Sequence, residues 1–372
     1  LKALKALQFL PTISNTEKIA IESGTIWMDG ELFSGKPNLK RLFENPLPTL
    51  TKDEKNFIQG PLQALCEMTN DWQIFEKKEI PKEIWSFLKE KKFFGLMIPK
   101  KYGGLAFSAT AHSEVIKILA TQSAPLSITV MVPNSLGPAE LLIHYGTEAQ
   151  KEKYLPKLAT GEEIPCFALT EPNAGSDAGA MTSSGEVFKA KNGELKIRLN
   201  WNKRYITLAS ISTLLGLAFK LKDPNNYLKK GTNLGITCAL IPTKMKGITV
   251  NKRHNPLGVP FYNCPTQGKD IEISIDQIIG GPERVGEGWK MLMECLSAGR
   301  GISLPATSVG GANLITKVSS AYASIREQFG LSISKFEGIA EYIAKITALT
   351  YTIESARLYT SGAIDQGSKP PV

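Results

Sequence analysis

Ala-Leu-Thr-Glu-Pro-Asn-Ala-Gly-Ser-Asp-Ala-Gly, residues 168–179, is the most informative stretch of this chain. It follows an apolar run, residues 164–167, which is typical of a strand entering a turn. Proline, asparagine and glycine then predict a loop whose backbone bends sharply. Such a loop leaves backbone N–H groups free beside the small hydroxyls of Thr170 and Ser176, which suits the close approach of a planar or phosphorylated ligand. A plain surface loop between two strands is the alternative.

The run Phe-Ala-Leu-Thr-Glu-Pro-Asn-Ala-Gly-Ser-Asp, residues 167–177, resembles the flavin-binding signature of the acyl-CoA dehydrogenases. A second segment, Trp-Asn-Lys-Arg-Tyr-Ile-Thr at residues 201–207, stands at the distance expected for that family. The resemblance covers nearly the whole chain and is strongest to the large bacterial acyl-CoA dehydrogenases of fatty-acid β-oxidation. It implies an α+β fold with an N-terminal helical domain, a central β-barrel or sandwich, and a C-terminal helical domain that is incomplete here.

Hydrophobic periodicity predicts the same helix–strand–helix order. In the first part of the chain, apolar residues recur at spacings of three and four residues. They alternate in short runs in the middle and return to the helical spacing after Gly288. We therefore predict a lead-in over 1–50, a helical domain over 51–163, a β domain over 164–285 and a second helical domain over 286–372.

Local signals refine these regions. Thr147 to Gln150 form a capping box that opens a helix, and Asn192-Gly193 predicts a hairpin. Gly310-Gly311 would permit close packing within a long helix that reaches Phe329. A final helix from Phe336 would bury one stripe of side chains, namely Ile339, Ile343, Ile346 and Leu349. The predicted strands are 164–170, 185–190, 195–200, 204–209, 213–221, 235–242, 248–253 and 270–275.

Composition limits the function classes. The 372 residues carry a net charge of +9, but the lysines are scattered among glutamates and form no nucleic-acid motif. The surplus could instead attract the phosphates of coenzyme A or an anionic lipid surface. No run of about 18 apolar residues is present, so no membrane span is expected. The chain begins with Leu1 and looks like a piece of something longer, and residues 1–11 suggest a short helix that either seeks a surface or packs on the body.

The cysteines and histidines suggest neither disulfides nor a metal. The five cysteines are widely spaced, and their odd count favours reduced thiols in the cytoplasm. His112, His144 and His254 lack metal-ligand spacing. We expect a cytoplasmic protein, with association to the inner membrane left open.

The resemblance implies FAD as the cofactor. In the family, the loop after the first strand touches the flavin through main-chain groups and the threonine hydroxyl, and the second segment covers the other flank of the ring. A tyrosine stands where the family commonly has tryptophan, which keeps a large aromatic surface. The implied contacts are Phe167, Leu169 and Thr170 in the loop and Tyr205, Ile206 and Thr207 in the second segment. Ser176 would face both the pyrophosphate and the bound substrate.

Arg-Glu-Gln-Phe-Gly, residues 326–330, resembles the family's Arg-x-Thr/Gln-Phe-Gly. There the arginine grips the flavin pyrophosphate of a neighbouring subunit, a task that suits the bidentate guanidinium. The resemblance therefore assigns Arg326 and Gln328 to the cofactor. Arg300 matches an arginine at the head of the family's substrate-pocket helix and is assigned to the substrate.

The catalytic base departs from one family pattern. Some members carry a glutamate immediately before that arginine, where this chain has Gly299. Others carry it in a loop near the C-terminal end, so we assign no catalytic residue within the chain and expect the base beyond Val372. Glu294, the nearest carboxylate, is expected on the surface.

The implied activity is an FAD-dependent acyl-CoA dehydrogenase that oxidises fatty acyl-CoA to trans-2-enoyl-CoA. The implied partners are a fatty acyl-CoA, an electron-transfer flavoprotein as acceptor and further copies of the chain, with peripheral membrane contact left open. Two alternatives remain: an acyl-CoA oxidase, whose flavin is reoxidised by oxygen, and a non-catalytic module that binds acyl-CoA or flavin.

Overall fold

The computed structural model describes residues 13–44 and 48–369, so the helix predicted over 1–11 lies outside the described residues. In the described part, ten α-helices precede the first strand. They are α1 Asn15–Glu22, α2 Met28–Phe33, α3 Lys52–Phe57, α4 Gln63–Met68, α5 Asp71–Lys77, α6 Lys82–Glu90, α7 Ala109–Gln122, α8 Ala124–Met131, α9 Pro138–Tyr145 and α10 Glu148–Thr160.

The start of α10 confirms the predicted capping box. The Thr147 hydroxyl accepts from the Gln150 backbone N–H, and the Gln150 side chain accepts in return from the Thr147 N–H. This exchange satisfies two donors that a helix start leaves unpaired. Gly161 ends α10 in the left-handed region, at φ 69°.

A π-helical turn, Val132–Leu136, joins α8 to α9, and the three together make up the segment Ala124–Tyr145. By length and composition alone this segment could cross a membrane, contrary to the expectation from sequence. However, 88% of its most apolar window is buried inside the protein, so its apolar surface belongs to the core. Asn134 pins the turn: its side chain accepts from the Leu96 N–H at 2.8 Å and donates to the Phe93 and Val130 carbonyls.

Seven strands form one open sheet among the described residues. They are β1 Pro165–Ala168, β2 Ser184–Lys189, β3 Leu195–Thr207, β4 Leu214–Lys222, β5 Asn233–Pro242, β6 Ile248–Val250 and β7 Asn263–Ser274. The order is β1-β4-β2-β3-β7-β6, and β5 pairs with β4. The hairpin predicted at Asn192-Gly193 is confirmed, since β2 and β3 pair antiparallel around that turn and Gly193 has φ 87°.

The largest differences from the predicted strands concern β3 and β7. The predicted strands 195–200 and 204–209 are one strand, β3, which bulges against β7 between Leu199 and Trp201 and again between Lys203 and Ile206. The last strand begins at Asn263, well before residue 270. The sequence pattern does not indicate this earlier start, because Gly268 interrupts it and glycine is uncommon inside strands. A Cβ at Gly268 would lie 2.3 Å from the Trp201 ring, so the close contact requires glycine there.

Two long helices follow the sheet: α11 Gly288–Ile325 and α12 Glu337–Asp365. The first ends at Ile325, four residues before the predicted end. The chain then forms a small hairpin of β8 Glu327–Gln328 and β9 Leu331–Ser332. Phe329 and Gly330 turn this hairpin with φ values of 54° and 74°, which a helix cannot accommodate.

The prediction that α12 buries a stripe of isoleucine and leucine is wrong for the described residues. Leu349 is 64% exposed and Ile339 is 36% exposed. Polar groups nearer the C-terminal end dock the helix instead. Asp365 accepts from the backbone N–H groups of Ala109 and Thr110 at the start of α7, and the buried Arg357 donates to side chains of the same helix.

Candidate functional site

The two segments singled out in the sequence meet where the loop after β1 lies against the C-terminal end of β3. The Arg204 N–H in β3 donates to the Thr170 carbonyl at 2.9 Å, and the Lys203 ammonium donates to the Leu169 carbonyl at 2.9 Å. The loop after β1 is therefore attached directly to the bulged end of β3.

The apolar side chains of this loop face the protein body. Phe167 and Leu169 are half-buried and pack against the cluster that contains Met291 and Leu292 of α11. The Phe167 ring lies over Gly216 in β4, where a Cβ would be 2.5 Å from the ring. These two residues can therefore offer a ligand mainly their backbone and one side-chain edge.

The loop presents free hydrogen-bonding groups to solvent. The backbone N–H groups of residues 175–179 donate to no described residue, and the hydroxyls of Thr170 and Ser176 likewise have no partner among them. A Cβ added at Gly175 would meet nothing within 4 Å, so open space lies beside it. The predicted set of free donors is thus confirmed, and it fits a flavin edge or a phosphate.

The end of β3 supplies an exposed aromatic ring. Tyr205 has φ 60°, lies in the second bulge, and is 53% exposed, so it does not face the core. The Arg204 guanidinium lies 4.7 Å from the centre of its ring, and the His254 ring lies 4.8 Å away. The bulge turns this side chain outward, and the preceding residue, Arg204, is the one that binds the loop at Thr170.

Ile206 and Thr207, the other two predicted contacts in the second segment, differ in what they can offer a cofactor. Ile206 is 2% exposed, so its side chain belongs to the core and only its backbone could meet a cofactor. The Thr207 hydroxyl accepts from the Asn263 side chain at 3.2 Å and is half-buried. Thr207 therefore keeps its own proton available for a further acceptor.

A buried ion pair lies directly beneath the loop. The Lys203 ammonium donates to the Glu171 carboxylate at 2.9 Å, and the two side chains are 0% and 3% exposed. The same carboxylate accepts from the backbone N–H and hydroxyl of both Thr182 and Ser183. Burial by itself raises the pKa of Glu171, but the hydrogen bonds from Ser183, Lys203 and Thr182 outweigh it and lower this pKa to about 2.

Sequence reasoning assigned no role to Glu171 or Lys203. A signal existed: Ile197, Leu199, Trp201 and Lys203 alternate along β3, so a lysine occupies an inward position of a strand. A buried lysine requires a counter-charge, and such a residue predicts a carboxylate in contact.

The structure does not bring Arg326 and Gln328 to this loop. Both are exposed near the C-terminal end of α11, whereas the first turns of that 38-residue helix pack with Phe167 and Leu169. The helix is about 57 Å long, so the two ends are far apart within one chain. Arg300 is exposed on α11, and Gly299 beside it is buried.

The expectation that Glu294 is a surface residue is wrong. It is half-buried on α11, and its carboxylate accepts a hydrogen bond from the Tyr145 hydroxyl. The histidines have protein partners: His112 contacts Ser303, His144 contacts Glu140, and His254 contacts Asn263. All five cysteines are free thiols, and burial raises the pKa of Cys166 and Cys238 to about 12.

Three family models match along the chain: the N-terminal domain of acyl-CoA dehydrogenase over residues 62–162, the middle domain over 166–271 and the C-terminal domain over 286–372. The chain belongs to the acyl-CoA dehydrogenase family. Members of this family are FAD-dependent oxidoreductases that act on CH–CH groups, so the fold and the cofactor predictions are confirmed at the level of the family.

Individual proteins agree with this membership. The chain is 34% identical over 301 residues to a 3-(aryl)acrylate reductase of Clostridium sporogenes, which covers 80% of this chain and 74% of that one. It is 29% identical over 344 residues to the human mitochondrial very long-chain specific acyl-CoA dehydrogenase, covering 91% of this chain and 51% of the relative. The chain thus spans about half the length of the very long-chain acyl-CoA dehydrogenases it matches. Butyryl-CoA dehydrogenase of Megasphaera elsdenii superposes with a TM-score of 0.75 at 24% identity, covering 86% of this chain and 82% of its own.

Proposed function

We propose that this chain is the flavin-binding body of an FAD-dependent acyl-CoA dehydrogenase that oxidises fatty acyl-CoA to trans-2-enoyl-CoA in the first step of β-oxidation. The observation that carries the proposal is the junction of the loop after β1 with the end of β3, which places free donors beside an exposed aromatic ring. Solved structures of the same fold that contain FAD support the cofactor. The very long-chain relatives support a fatty acyl substrate.

FAD, when bound, would accept a hydride from the β-carbon of the substrate. The Thr170 hydroxyl and the loop backbone would bind the flavin edge, and Tyr205 with the backbone of Ile206 and the Thr207 hydroxyl would cover its flank. Ser176 and the free N–H groups beside it would meet phosphate or substrate oxygens. Among the described residues, the hydroxyls of Thr170 and Ser176 and the N–H groups of residues 175–179 make no hydrogen bond, so their binding to a ligand breaks none there.

No general base is assigned on α11. Gly299 has no side chain, and Glu294, the only acidic residue in the α11 sequence, is already bound by Tyr145. Because a useful base must reach the substrate proton, a carboxylate engaged in this way is poorly placed for the task.

Further copies of the chain are proposed as partners. The C-terminal half of α11 and the N-terminal half of α12 expose large apolar side chains, including Val318 at 57%, Ile325 at 79% and Tyr342 at 68%. Large apolar side chains exposed in such numbers are typical of an interface. We propose an electron-transfer flavoprotein as the acceptor, supported by a structural neighbour described as the electron transferring flavoprotein of Acidaminococcus fermentans.

The location proposed is cytoplasmic, and association with the inner membrane is a second proposal. Phe33 and Phe43 near the N-terminus are 92% and 87% exposed, and Lys40 and Arg41 lie beside the second of them, a combination that suits an anionic lipid surface. Fractionation of cells tests this directly: recovery in the soluble fraction at both low and high salt would reject membrane association.

The activity is tested by mixing the FAD-loaded protein with acyl-CoA of several chain lengths without oxygen and following flavin bleaching. Thr170→Val should raise the Kd for FAD about tenfold at unchanged thermal stability, because the lost hydroxyl has no partner among the described residues. Thr213→Val is the matched control: its hydroxyl accepts from the Ile164 N–H, so it should lower stability and leave the FAD Kd unchanged. Release of FMN, or no flavin binding, contradicts the proposal. Rapid oxygen uptake during turnover would favour the oxidase.

A further inference from the structure

We propose that the buried Glu171–Lys203 pair is a positioning device that holds the two flavin-contacting segments in one relative placement and thereby sets the affinity for FAD. The inference rests on the proposed function for its ligand. Its structural part, the coupling of the two segments, can be tested without FAD. Neither residue is catalytic, because side chains that are 3% and 0% exposed cannot touch a cofactor or substrate.

Lys203 connects the segments through two contacts made by one ammonium group. Its Nζ lies 2.9 Å from the Leu169 carbonyl and 2.9 Å from the Glu171 carboxylate, so it grips the loop on both sides of Thr170. The next residue, Arg204, donates its backbone N–H to the Thr170 carbonyl. Three consecutive residues of the loop are thus fixed by two consecutive residues of β3.

The same lysine also sets the start of the second segment. In the pairing of β3 with β7, Lys203 faces Thr266 and Ile206 faces Cys264, so an extra residue is accommodated between them. Tyr205 occupies this bulge with φ 60°. Because Lys203 is the last regularly paired residue before the bulge, its anchoring determines where the exposed Tyr205 ring emerges relative to Thr170.

The groups around Glu171 fit an ionised carboxylate and would not fit a smaller or a neutral side chain. Five donors converge on its two oxygens: the backbone N–H and hydroxyl of Thr182 on one, and those of Ser183 together with Lys203 on the other. An amide would point its own N–H₂ at donors. This network also fixes the far end of the loop, since Thr182 and Ser183 lead directly into β2.

Stability alone does not explain the pair. An apolar pair of similar volume often stabilises a protein as well as a buried ion pair does, since both charges must be desolvated. What an apolar pair cannot supply is direction: hydrogen bonds at fixed distances from the ammonium group on β3 to a carbonyl and a carboxylate on the loop. Because these bonds end on Leu169 and Glu171, on either side of Thr170, the geometry assigns the pair to positioning.

The test compares Lys203→Met with Arg357→Met. Methionine is unbranched and only one atom shorter than lysine but donates nothing, and Glu171 retains its other four donors. Arg357 is the matched control, since it is 2% exposed and bound to Glu114 and Glu354, far in the sequence from both flavin segments. At a temperature where both variants are folded, Lys203→Met should raise the FAD Kd at least tenfold and shift the visible flavin spectrum. Arg357→Met should change the Kd less than twofold.

Amide hydrogen exchange on the apoprotein provides the readout that does not depend on FAD. Lys203→Met should speed exchange at Glu171 and Arg204, whose N–H groups bond to Ala174 and Thr170, while Arg357→Met leaves them unchanged. If Lys203→Met fails to fold, Ser183→Ala keeps the ion pair, removes one donor and should raise the FAD Kd about threefold. Unchanged FAD affinity together with unchanged exchange in the foldable variant would overturn the inference. A wild-type protein that binds no FAD would overturn the proposed function, and the exchange comparison would still decide the coupling.

Discussion

The Glu171 carboxylate should make stability depend on pH in the acid range. Its pKa is about 2 in the folded protein, against an ordinary value near 4.5, so the unfolded chain takes up the proton first as the pH falls. The stabilisation is complete above about pH 4.5, amounts to about 3 kcal/mol, and is lost as the pH falls towards 2. Urea unfolding at several pH values should therefore show a shallower acid slope for Glu171→Gln than for wild type. The exposed Glu186→Gln should keep the wild-type slope.

His112 should produce a second pH dependence, at higher pH. It is fully buried, burial lowers its pKa to about 4, and Nδ1 has no hydrogen-bond partner among the described residues. The unfolded chain binds the proton near the ordinary value of 6.5, so the free energy of unfolding should fall by up to about 3 kcal/mol between pH 6.5 and 4. His112→Gln should remove this slope. His144→Gln should remove a slope of opposite sign, because Glu140 raises the pKa of His144.

The sequence predicts the residues that offer hydrogen-bonding groups to a ligand, but not the residues that only position them. Thr170 and Ser176 lie in a loop whose composition indicates exposure, and neither hydroxyl has a hydrogen-bond partner within residues 13–44 and 48–369. Lys203 reads as one more surface lysine unless its inward place in the strand alternation is noticed. Ile206 was assigned to the cofactor although its side chain is in the core, because a motif match carries no information on which way a side chain points.

The crossing of α11 and α7 depends on one glycine of the pair at 310–311. A Cβ at Gly310 would lie 2.6 Å from the Lys117 carbonyl, whereas a Cβ at Gly311 would meet nothing within 4 Å. Gly310→Ala should therefore destabilise the protein by about 1–3 kcal/mol through overpacking. Gly311→Ala should stabilise it by up to about 1 kcal/mol, because alanine is the better helix former. Thermal unfolding of the two variants decides this; equal shifts would mean that the close contact is not limiting.

Elements were predictable where the signal is local. The capping box before α10 and the Asn-Gly hairpin between β2 and β3 use contacts between residues a few positions apart, and both are confirmed. The predictions for β7 and α12 are wrong because contacts with residues distant in the sequence determine these elements. The start of β7 depends on Trp201 covering Gly268, and the exposed stripe of α12 follows from polar docking on α7 rather than from its own periodicity.

The order of helices, strands and helices along the chain followed from periodicity, because it changes from 3.6 to 2 and back. The assembly of the site did not, since its two segments are joined by a lysine and a backbone bond between residues more than thirty positions apart. The position of Arg326 is a further case. Its motif predicts a phosphate contact, but the length of α11 places it far from the loop of its own chain.

Arg326 should therefore bind FAD held by the flavin loop of a second copy. Arg326→Ala should leave unfolding cooperative and weaken FAD binding roughly 10- to 100-fold, which corresponds to about 1.5–3 kcal/mol for a charge-assisted contact. Lys335→Ala, another exposed cation just beyond the β8–β9 hairpin, should leave the FAD Kd unchanged. Unaltered FAD affinity in Arg326→Ala would remove this residue from the cofactor site.

A mixing experiment distinguishes a contact across subunits from one within a chain. Co-expressed Arg326→Ala and Thr170→Val chains form hybrids in which one site receives both defects and the other receives neither. At equal expression, random pairing should leave about a quarter of all sites intact, so a fraction of the flavin with wild-type affinity should appear that neither variant shows alone. Co-expression of Arg326→Ala with itself is the control and should give none. If the mixture shows only the two weakened affinities, there are two explanations. Either Arg326 and Thr170 of the same chain bind the same FAD, or the chains do not exchange. Subunit exchange followed with a tagged copy separates these two outcomes, and exchange without an intact fraction would reject the shared site.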